Sequence, residues 1–206
     1  MNGSERARSA QRPKRADARR NEEALLEAAA AVFAASGVEA PIRDIAAKAG
    51  VGTATIYRHF PTRADLIVVV YRHQVEFLAD AGPALLESSA TPYTALGLWI
   101  DHFVDFVVTK QGLAAVLQSD DPCYDPLHSY FLERLVPVCT RLLDAAADAG
   151  EIRSDLDAYE LMLGVGGLCA GAGANARYDA RRLVGLLIAG LGRPNPGRAA
   201  DRQGAS

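Results

Sequence analysis

The 206-residue chain has no long apolar segment and few cysteines. Its longest stretch without a charged or strongly polar side chain is Leu161–Ala174, which is too short and too rich in glycine to span a bilayer. No apolar run precedes Leu25, so we expect no secretory signal and no membrane partner. The three cysteines, Cys123, Cys139 and Cys169, are far apart and odd in number, which favours a cytoplasmic protein without a disulfide framework.

The sequence also lacks the common catalytic and cofactor-binding motifs. It contains no G-x-S-x-G, no P-loop, no H-E-x-x-H and no paired C-x-x-C. The four histidines show no catalytic spacing, and His102, between Asp101 and Asp105, is more typical of a solvated helix face than of a metal site. We therefore expect no enzymatic activity, no cofactor and no metal ion.

The two ends of the chain differ in charge. Residues 1–63 hold 11 Arg or Lys against 7 Asp or Glu, whereas the remaining residues hold 11 against 18. A basic end on an acidic protein favours a polyanionic partner that contacts only that end. The alternative is that the basic end serves solubility.

Apolar residues recur at helical spacing along most of the chain, and no segment alternates with period two, so the predicted fold class is all-α. Residues 1–17 are polar and basic and are predicted to form a flexible arm, and the Pro/Gly-rich residues 193–206 a disordered tail. Helices are predicted over 19–36, 42–49, 53–60, 64–79, 93–109, 112–118, 127–149, 155–178 and 180–191, with Ser154 or Asp155 as the N-cap of the helix over 155–178.

The stretch "AGVGTATIYRHF", Ala49–Phe60, carries the clearest functional signal. A helix ends at Ala49, a tight turn contains Gly50 and Gly52, and a second helix begins after it, so residues 41–60 follow the helix-turn-helix plan. Apolar residues of both helices are expected to pack together: Ile45, Ala46, Ala49, Val51, Ile56 and Phe60. The outer side of the second helix then carries Thr53, Ala54, Thr55, Tyr57, Arg58 and His59.

An outer face of hydroxyl, aromatic and basic side chains suits the major groove of DNA. Arg43 and Arg63 flank the unit and are predicted to contact the DNA backbone. An ordinary amphipathic helix with a solvated face is the alternative.

The surrounding sequence resembles the TetR family of bacterial transcriptional regulators. The resemblance covers Glu22–Tyr71 and includes "FAASG", "IRDIAAKAGV", "TIYRHF" and "PTRADL" at the family's spacing. It implies a DNA-binding domain over residues 18–78 and a C-terminal domain over residues 79–192. It also implies that the C-terminal domain binds a ligand that controls DNA affinity and that the protein is a homodimer.

Particular DNA contacts follow from the same resemblance. Gly52, Thr53, Thr55 and Tyr57 match recognition-helix contacts, His59 lies near the end of that helix, Arg43 matches a polar position, and Arg63 stands where the family often has a phosphate-binding lysine. Two departures remove hydroxyl groups, because Pro41 replaces the usual Thr or Ser and Gly52 replaces a common Ser.

Large apolar residues and a few polar groups in the C-terminal region are typical of an apolar ligand pocket. The predicted ligand-binding residues are Trp99, His102, Phe103, Phe106, Tyr124, His128, Phe131 and Met162. Plain core packing is the alternative for each of them.

The glycines of the stretch "LMLGVGGLCAGAGANARY" indicate a helix interface. Each glycine inside a helix costs roughly 1 kcal/mol relative to alanine, so close packing must offset the loss. Gly164, Gly167 and Gly171 share one face, and Leu183 and Leu187 lie on the next predicted helix. We predict a four-helix dimer interface from residues 155–191; a monomeric core or a kinked segment is the alternative.

Three functions compete on this basis. The first is a transcriptional regulator, usually a repressor, that binds a pseudo-palindromic operator as a dimer and responds to a small molecule. The second is an enzyme, which the missing motifs oppose. The third is an architectural DNA-binding protein without a ligand, which has no need of a large aromatic acidic domain.

Overall fold

The computed structural model describes residues 3–117, 125–170 and 178–192, and within these ranges it contains eight α-helices and no β-strand. The all-α prediction is therefore confirmed. The helices are α1 (Gly3–Ser36), α2 (Ile42–Ala49), α3 (Thr53–His59), α4 (Arg63–Ser88), α5 (Pro92–Leu117), α6 (Asp125–Asp148), α7 (Ala158–Ala170) and α8 (Ala180–Leu191). None of these described helices combines the length and hydropathy needed to cross a membrane.

The first helix is longer than predicted. The expected flexible arm over residues 1–17 is wrong for residues 3–17, which form the beginning of α1. Seven of these fifteen residues are Arg or Ala, which favour helix, and extending an existing helix avoids the cost of nucleation. The predicted tail over residues 193–206 lies outside the described residues.

Two further boundaries differ from the predictions. α4 does not end at Ala79 but continues through Pro83 to Ser88, and α5 is one helix where two were predicted. The indole N–H of Trp99 donates to the carbonyl of Leu78 at 2.9 Å, in the turn of α4 just before Pro83. Packing against a neighbouring helix thus supports the part of α4 that the proline weakens.

The N-cap predicted for α7 is also wrong. Asp157 caps the helix, because its Oδ1 accepts hydrogen bonds from the N–H groups of Tyr159 and Glu160 at 2.8 and 3.1 Å. The carboxylate of Asp155 instead pairs with the guanidinium of Arg153 at 2.5 Å, so it is not available to the helix.

Two compact units divide the chain, and α4 and α5 each have residues in both. Within the described residues, the first unit comprises 3–73 and 112–117, and the second comprises 74–111, 125–170 and 178–192. The core of the first unit is formed by apolar side chains of α1, α2 and α4, which include Leu25, Leu26, Phe33, Ile45, Leu66, Ile67, Val70 and Tyr71. In this unit α2 packs against both α1 and α3.

The second unit is held by close helix contacts and by hydrogen bonds from the backbone and the side chain of Tyr93. The N–H of Tyr93 donates to Glu151 at 2.8 Å, and its hydroxyl donates to the carbonyl of Ile188 at 3.1 Å. Gly82 of α4 lies against Val138 of α6 so closely that a methyl group built on Gly82 would overlap Cγ1 of Val138. The α4–α6 contact therefore requires glycine at position 82.

Candidate DNA-binding surface, effector site and dimer face

The turn between α2 and α3 is fixed by Gly50. This residue has φ of 69°, in the left-handed region that favours glycine. The N–H of Gly50 donates to the carbonyl of Ala47 at 3.3 Å, and the N–H of Val51 donates to that of Ala46 at 3.0 Å. Both bonds satisfy carbonyls at the end of α2 and direct the chain into α3.

The inner side of the helix-turn-helix matches the sequence prediction in its main features. Ile45, Ile56 and Phe60 are buried, as predicted, whereas Ala49 and Val51 are half-buried. α3 has only seven residues and therefore depends on this packing for its stability.

The outer side of α3 is open. Its exposed residues are Thr53, Ala54, Tyr57, Arg58 and His59, and Gly52 just before the helix is exposed as well. Tyr57 is the largest apolar group on this surface, with 54% of its area exposed. The structure thus leaves six of the predicted DNA-contacting residues exposed to solvent, on α3 and directly before it.

Thr55 differs from the exposed residues of α3 because it is half-buried, and together with His59 it lines a groove between α3 and α1. The groove has a volume of about 230 Å³ and is lined by Asn21, Glu22, Leu25, Val51, Thr55 and His59. Asn21 and Glu22 are polar neighbours of α3 that sequence spacing did not reveal, because the approach of α1 to α3 is a tertiary contact.

The two flanking arginines have different surroundings. Arg43 is exposed on α2 and lies 3.5 Å from the carboxylate of Asp44. Arg63 is half-buried, and its Nη1 donates to the backbone carbonyls of Val38 and Ala40. Pro41 adopts an extended backbone as the N-cap of α2 and supplies no side-chain cap.

Four of the predicted ligand-binding residues form a buried stack of rings in the second unit. Trp99, Phe103, Phe106 and Phe131 are each less than a tenth exposed. The planes of Trp99 and Phe103 are within 2° of parallel at a centroid distance of 5.7 Å, and those of Phe106 and Phe131 within 12° at the same distance. The exposed ring of His128 stacks on Phe131 at 6.3 Å.

The other predicted ligand-binding residues lie elsewhere. Met162 is buried on α7. His102 is half-buried and meets the exposed ring of Phe77 edge-on at 5.6 Å. Tyr124 lies outside the described residues. The structure therefore brings four of the predicted residues together in one buried stack, which is also the arrangement that core packing, the alternative, produces.

The structure leaves an apolar surface open on α7 and α8. Leu163 is 63% exposed and Leu186 is 60% exposed, and Tyr159 and Leu183 are exposed beside them in sequence. A methyl group built on Gly164 or Gly167 would meet no atom within 4 Å. Leu187 is half-buried, and Gly171 lies outside the described residues.

The buried cysteines are poor nucleophiles. Burial raises the pKa of Cys139 to about 12, and burial also raises the pKa of Cys169. A thiol in this state is mostly protonated at neutral pH, so both residues act as small apolar side chains.

Comparison with known proteins places these features in a family. Residues 25–70 match the model of bacterial regulatory proteins of the tetR family, and residues 91–193 match the C-terminal domain model of SbtR-like transcriptional regulators. The chain is 32% identical to the transcriptional repressor KstR2 of Mycolicibacterium smegmatis over 153 residues, which cover 70% of this chain and 73% of KstR2.

Solved structures agree with this assignment. A TetR transcriptional regulator of Streptomyces coelicolor is 36% identical, with a TM-score of 0.71 over 85% of this chain and 99% of that one. A TetR regulatory protein of Mycobacterium vanbaalenii is 31% identical, with a TM-score of 0.66 over 88% and 100%. The chain belongs to the TetR family of DNA-binding transcriptional regulators.

Proposed function

We propose that this protein represses transcription by binding a pseudo-palindromic operator as a homodimer, and that a small molecule bound in its second unit changes its affinity for DNA. The observation that carries the proposal is the exposed polar and basic face of α3, which stands on a buried apolar base. KstR2, the relative described above, is a repressor, which supports repression over activation.

DNA recognition in this proposal uses the residues predicted from the sequence. Thr53, Ala54 and Tyr57 on the open face of α3 approach the base edges, and Gly52 allows the DNA to come close to the backbone. Phosphate contacts come from Arg43, Arg58, His59 and Arg63, with Thr55 at the edge of the surface. The net charge of +4 over residues 1–63 favours approach of DNA to this unit.

Dimerisation in this proposal uses the open faces of α7 and α8. Exposed leucines at 163, 183 and 186 form an apolar surface that water disfavours. Gly164 and Gly167 leave the backbone of α7 uncovered, so a second helix has room to approach closely. A two-fold dimer presents two copies of α3 to successive major grooves about 34 Å apart, which accounts for an operator with inverted symmetry.

The effector in this proposal binds at the ring stack of the second unit. Regulators with the same fold have been solved with choline, in Saccharomonospora viridis, and with stearoyl-CoA, in Bacillus subtilis, at 22% and 20% identity. The fold therefore accommodates small molecules. An effector changes DNA affinity only as far as it binds the DNA-competent and DNA-incompetent states with different affinity.

Selection of DNA from a random duplex pool tests the proposal directly. We expect the purified full chain to enrich an inverted repeat whose half-sites are about one helical turn apart. The binding constant should fall steeply with salt concentration, because phosphate contacts release counterions. A folded protein that enriches no sequence, or enriches a single unrepeated half-site, contradicts the proposal.

A further inference from the structure

Arg63 stands at a rigid position, because it is the first residue of α4 and the turn around it is capped. The N–H of Thr62 donates to Oδ2 of Asp65 at 3.0 Å, and the N–H of Asp65 donates to Oγ1 of Thr62 at 3.1 Å. This reciprocal pair has the form of a capping box. The backbone of Arg63 is therefore held in place before its side chain makes any contact.

Among the residues that the structure describes, the guanidinium of Arg63 makes its hydrogen bonds through Nη1 alone. Nη1 donates to the carbonyl of Val38 and, at 2.9 Å, to the carbonyl of Ala40. Because Nη1 carries two hydrogens, these bonds use both of them and leave the N–H groups of Nε and Nη2 for another acceptor. Val38 and Ala40 are themselves buried.

The two carbonyls belong to the loop that leads into α2. This loop runs from Gly37 to Pro41, where Pro41 has no polar side chain to cap the helix. Within the loop, the N–H of Ala40 donates to the carbonyl of Gly37 at 3.2 Å. At its two ends, the N–H of Gly37 donates to the carbonyl of Phe33, and the carbonyl of Pro41 accepts from the N–H of Asp44, each at 2.9 Å. The contacts from Arg63 therefore tie the start of α2 to the start of α4.

We propose that Arg63 is a positioning residue for the DNA-binding surface. Its Nη1 holds the 37–41 loop, and through it the start of α2, while the remaining N–H groups serve an operator phosphate. This inference rests on the proposed function, since the surface being positioned is that of α2 and α3. The ammonium of a lysine has three N–H donors on one nitrogen and no planar fork, so it cannot bind both loop carbonyls and also hold a phosphate in the two-bond arrangement that arginine offers.

The test compares two variants, Arg63→Lys and Arg63→Met, with the wild-type chain. The probe is the duplex that the wild-type protein enriches from the random pool, and affinity is measured by fluorescence anisotropy at one stated salt concentration. Hydrogen exchange of the peptide over residues 37–42 is measured without DNA. Lys48→Arg, the reverse exchange at an exposed position of α2, is the matched control.

We expect Arg63→Lys to bind the duplex about tenfold more weakly than the wild type does, although the variant keeps the positive charge. The reason is that its two charge-assisted bonds to the loop are lost or compete with the phosphate contact. The 37–42 peptide should exchange faster in both variants, while Lys48→Arg matches the wild type in both measurements. Circular dichroism shows which variants fold, and either folded variant is sufficient for the exchange test.

Three results overturn the inference. If Arg63→Lys binds within about twofold of wild type, the residue supplies only a positive charge. If it binds weakly with unchanged loop exchange, or exchanges faster with unchanged affinity, the loop contact does not position the DNA-binding surface. Failure of the wild-type chain to enrich any duplex refutes the proposed function instead, and the exchange measurement still decides whether Arg63 holds the loop.

Discussion

The contact between Gly82 and Val138 predicts that Gly82→Ala has opposite effects on the free energy of unfolding in two backgrounds, the wild-type chain and the Val138→Ala variant. In a helix interior, alanine is more stable than glycine by about 1 kcal/mol. Here the added methyl overlaps Cγ1 of Val138, whose β-branched side chain has little freedom to turn away. Overpacking costs about 1–3 kcal/mol, and the upper part of that range, about 2–3 kcal/mol, applies because the methyl would lie well inside contact distance of Cγ1. After the helix gain of about 1 kcal/mol is subtracted, Gly82→Ala in the wild-type chain should lower the free energy of unfolding by about 1–2 kcal/mol.

Removing the obstacle should reverse the effect. In a Val138→Ala background Cγ1 is absent, so Gly82→Ala should raise the free energy of unfolding by about 1 kcal/mol through helix propensity alone. The coupling between the two substitutions is then about 2–3 kcal/mol, well above the few tenths expected of independent sites.

The single tryptophan provides the assay. Trp99 is fully buried, and its Nε1 lies 3.7 Å from the methyl position on Gly82, so its fluorescence reports unfolding of the second unit. Urea titrations of the wild type, the two single variants and the double variant, all at one protein concentration, give the four free energies of a double-mutant cycle. If Gly82→Ala changes the free energy of unfolding in the same direction in both backgrounds, the close approach of α4 to α6 is not the reason for glycine at this position.

Three further predictions concern other surfaces. Tyr57→Ala should weaken operator binding about tenfold or more, because it removes a contact to DNA. The circular dichroism spectrum should not change, because Tyr57 is exposed in the free protein. Unchanged affinity means that α3 presents a different face to DNA. Leu186→Glu should shift the sedimentation of the protein from dimer to monomer. Leu98→Glu, which changes another exposed leucine, should leave the dimer intact. If the two variants sediment alike, α8 does not form the dimer face. The hydrogen bond from Arg134 lowers the pKa of Glu76 below its ordinary value of 4.5. The wild type should therefore lose stability relative to Glu76→Gln as the pH falls below about 4.5. If the difference between their urea midpoints does not change with pH, this pair adds no stability.

The short helix-turn-helix was predictable because its limits are set by local residues. Gly50 and Gly52 mark the turn in the sequence, and the structure places α3 directly after them. The alternation of buried Ile56 with exposed Tyr57 also follows from helical period alone. Features that depend on adjacent residues are visible in one sequence.

Features that depend on distant residues were not predictable. The carbonyls that Arg63 binds lie 25 and 23 positions earlier in the chain, and backbone carbonyls have no sequence signature. The passage of α4 through Pro83 depends likewise on an indole 21 positions beyond Leu78. The helical beginning of α1 differs for another reason. Its low hydrophobicity favours disorder, whereas its Arg and Ala content and the helix that follows it favour helix.

The sharing of α4 by both units has a consequence for building hybrid regulators. One boundary falls between His73 and Gln74, inside α4, and another between Gln111 and Gly112, inside α5, so neither lies in a loop. A recombinant junction there must conserve helical phase, because one inserted residue turns everything beyond it by about 100°, whereas seven residues restore the phase to within about 20°. A hybrid that takes its DNA-binding unit from a relative must therefore keep the helical phase of α4 at the junction. Hybrids with one or two residues inserted or deleted there should fold and yet lose regulation.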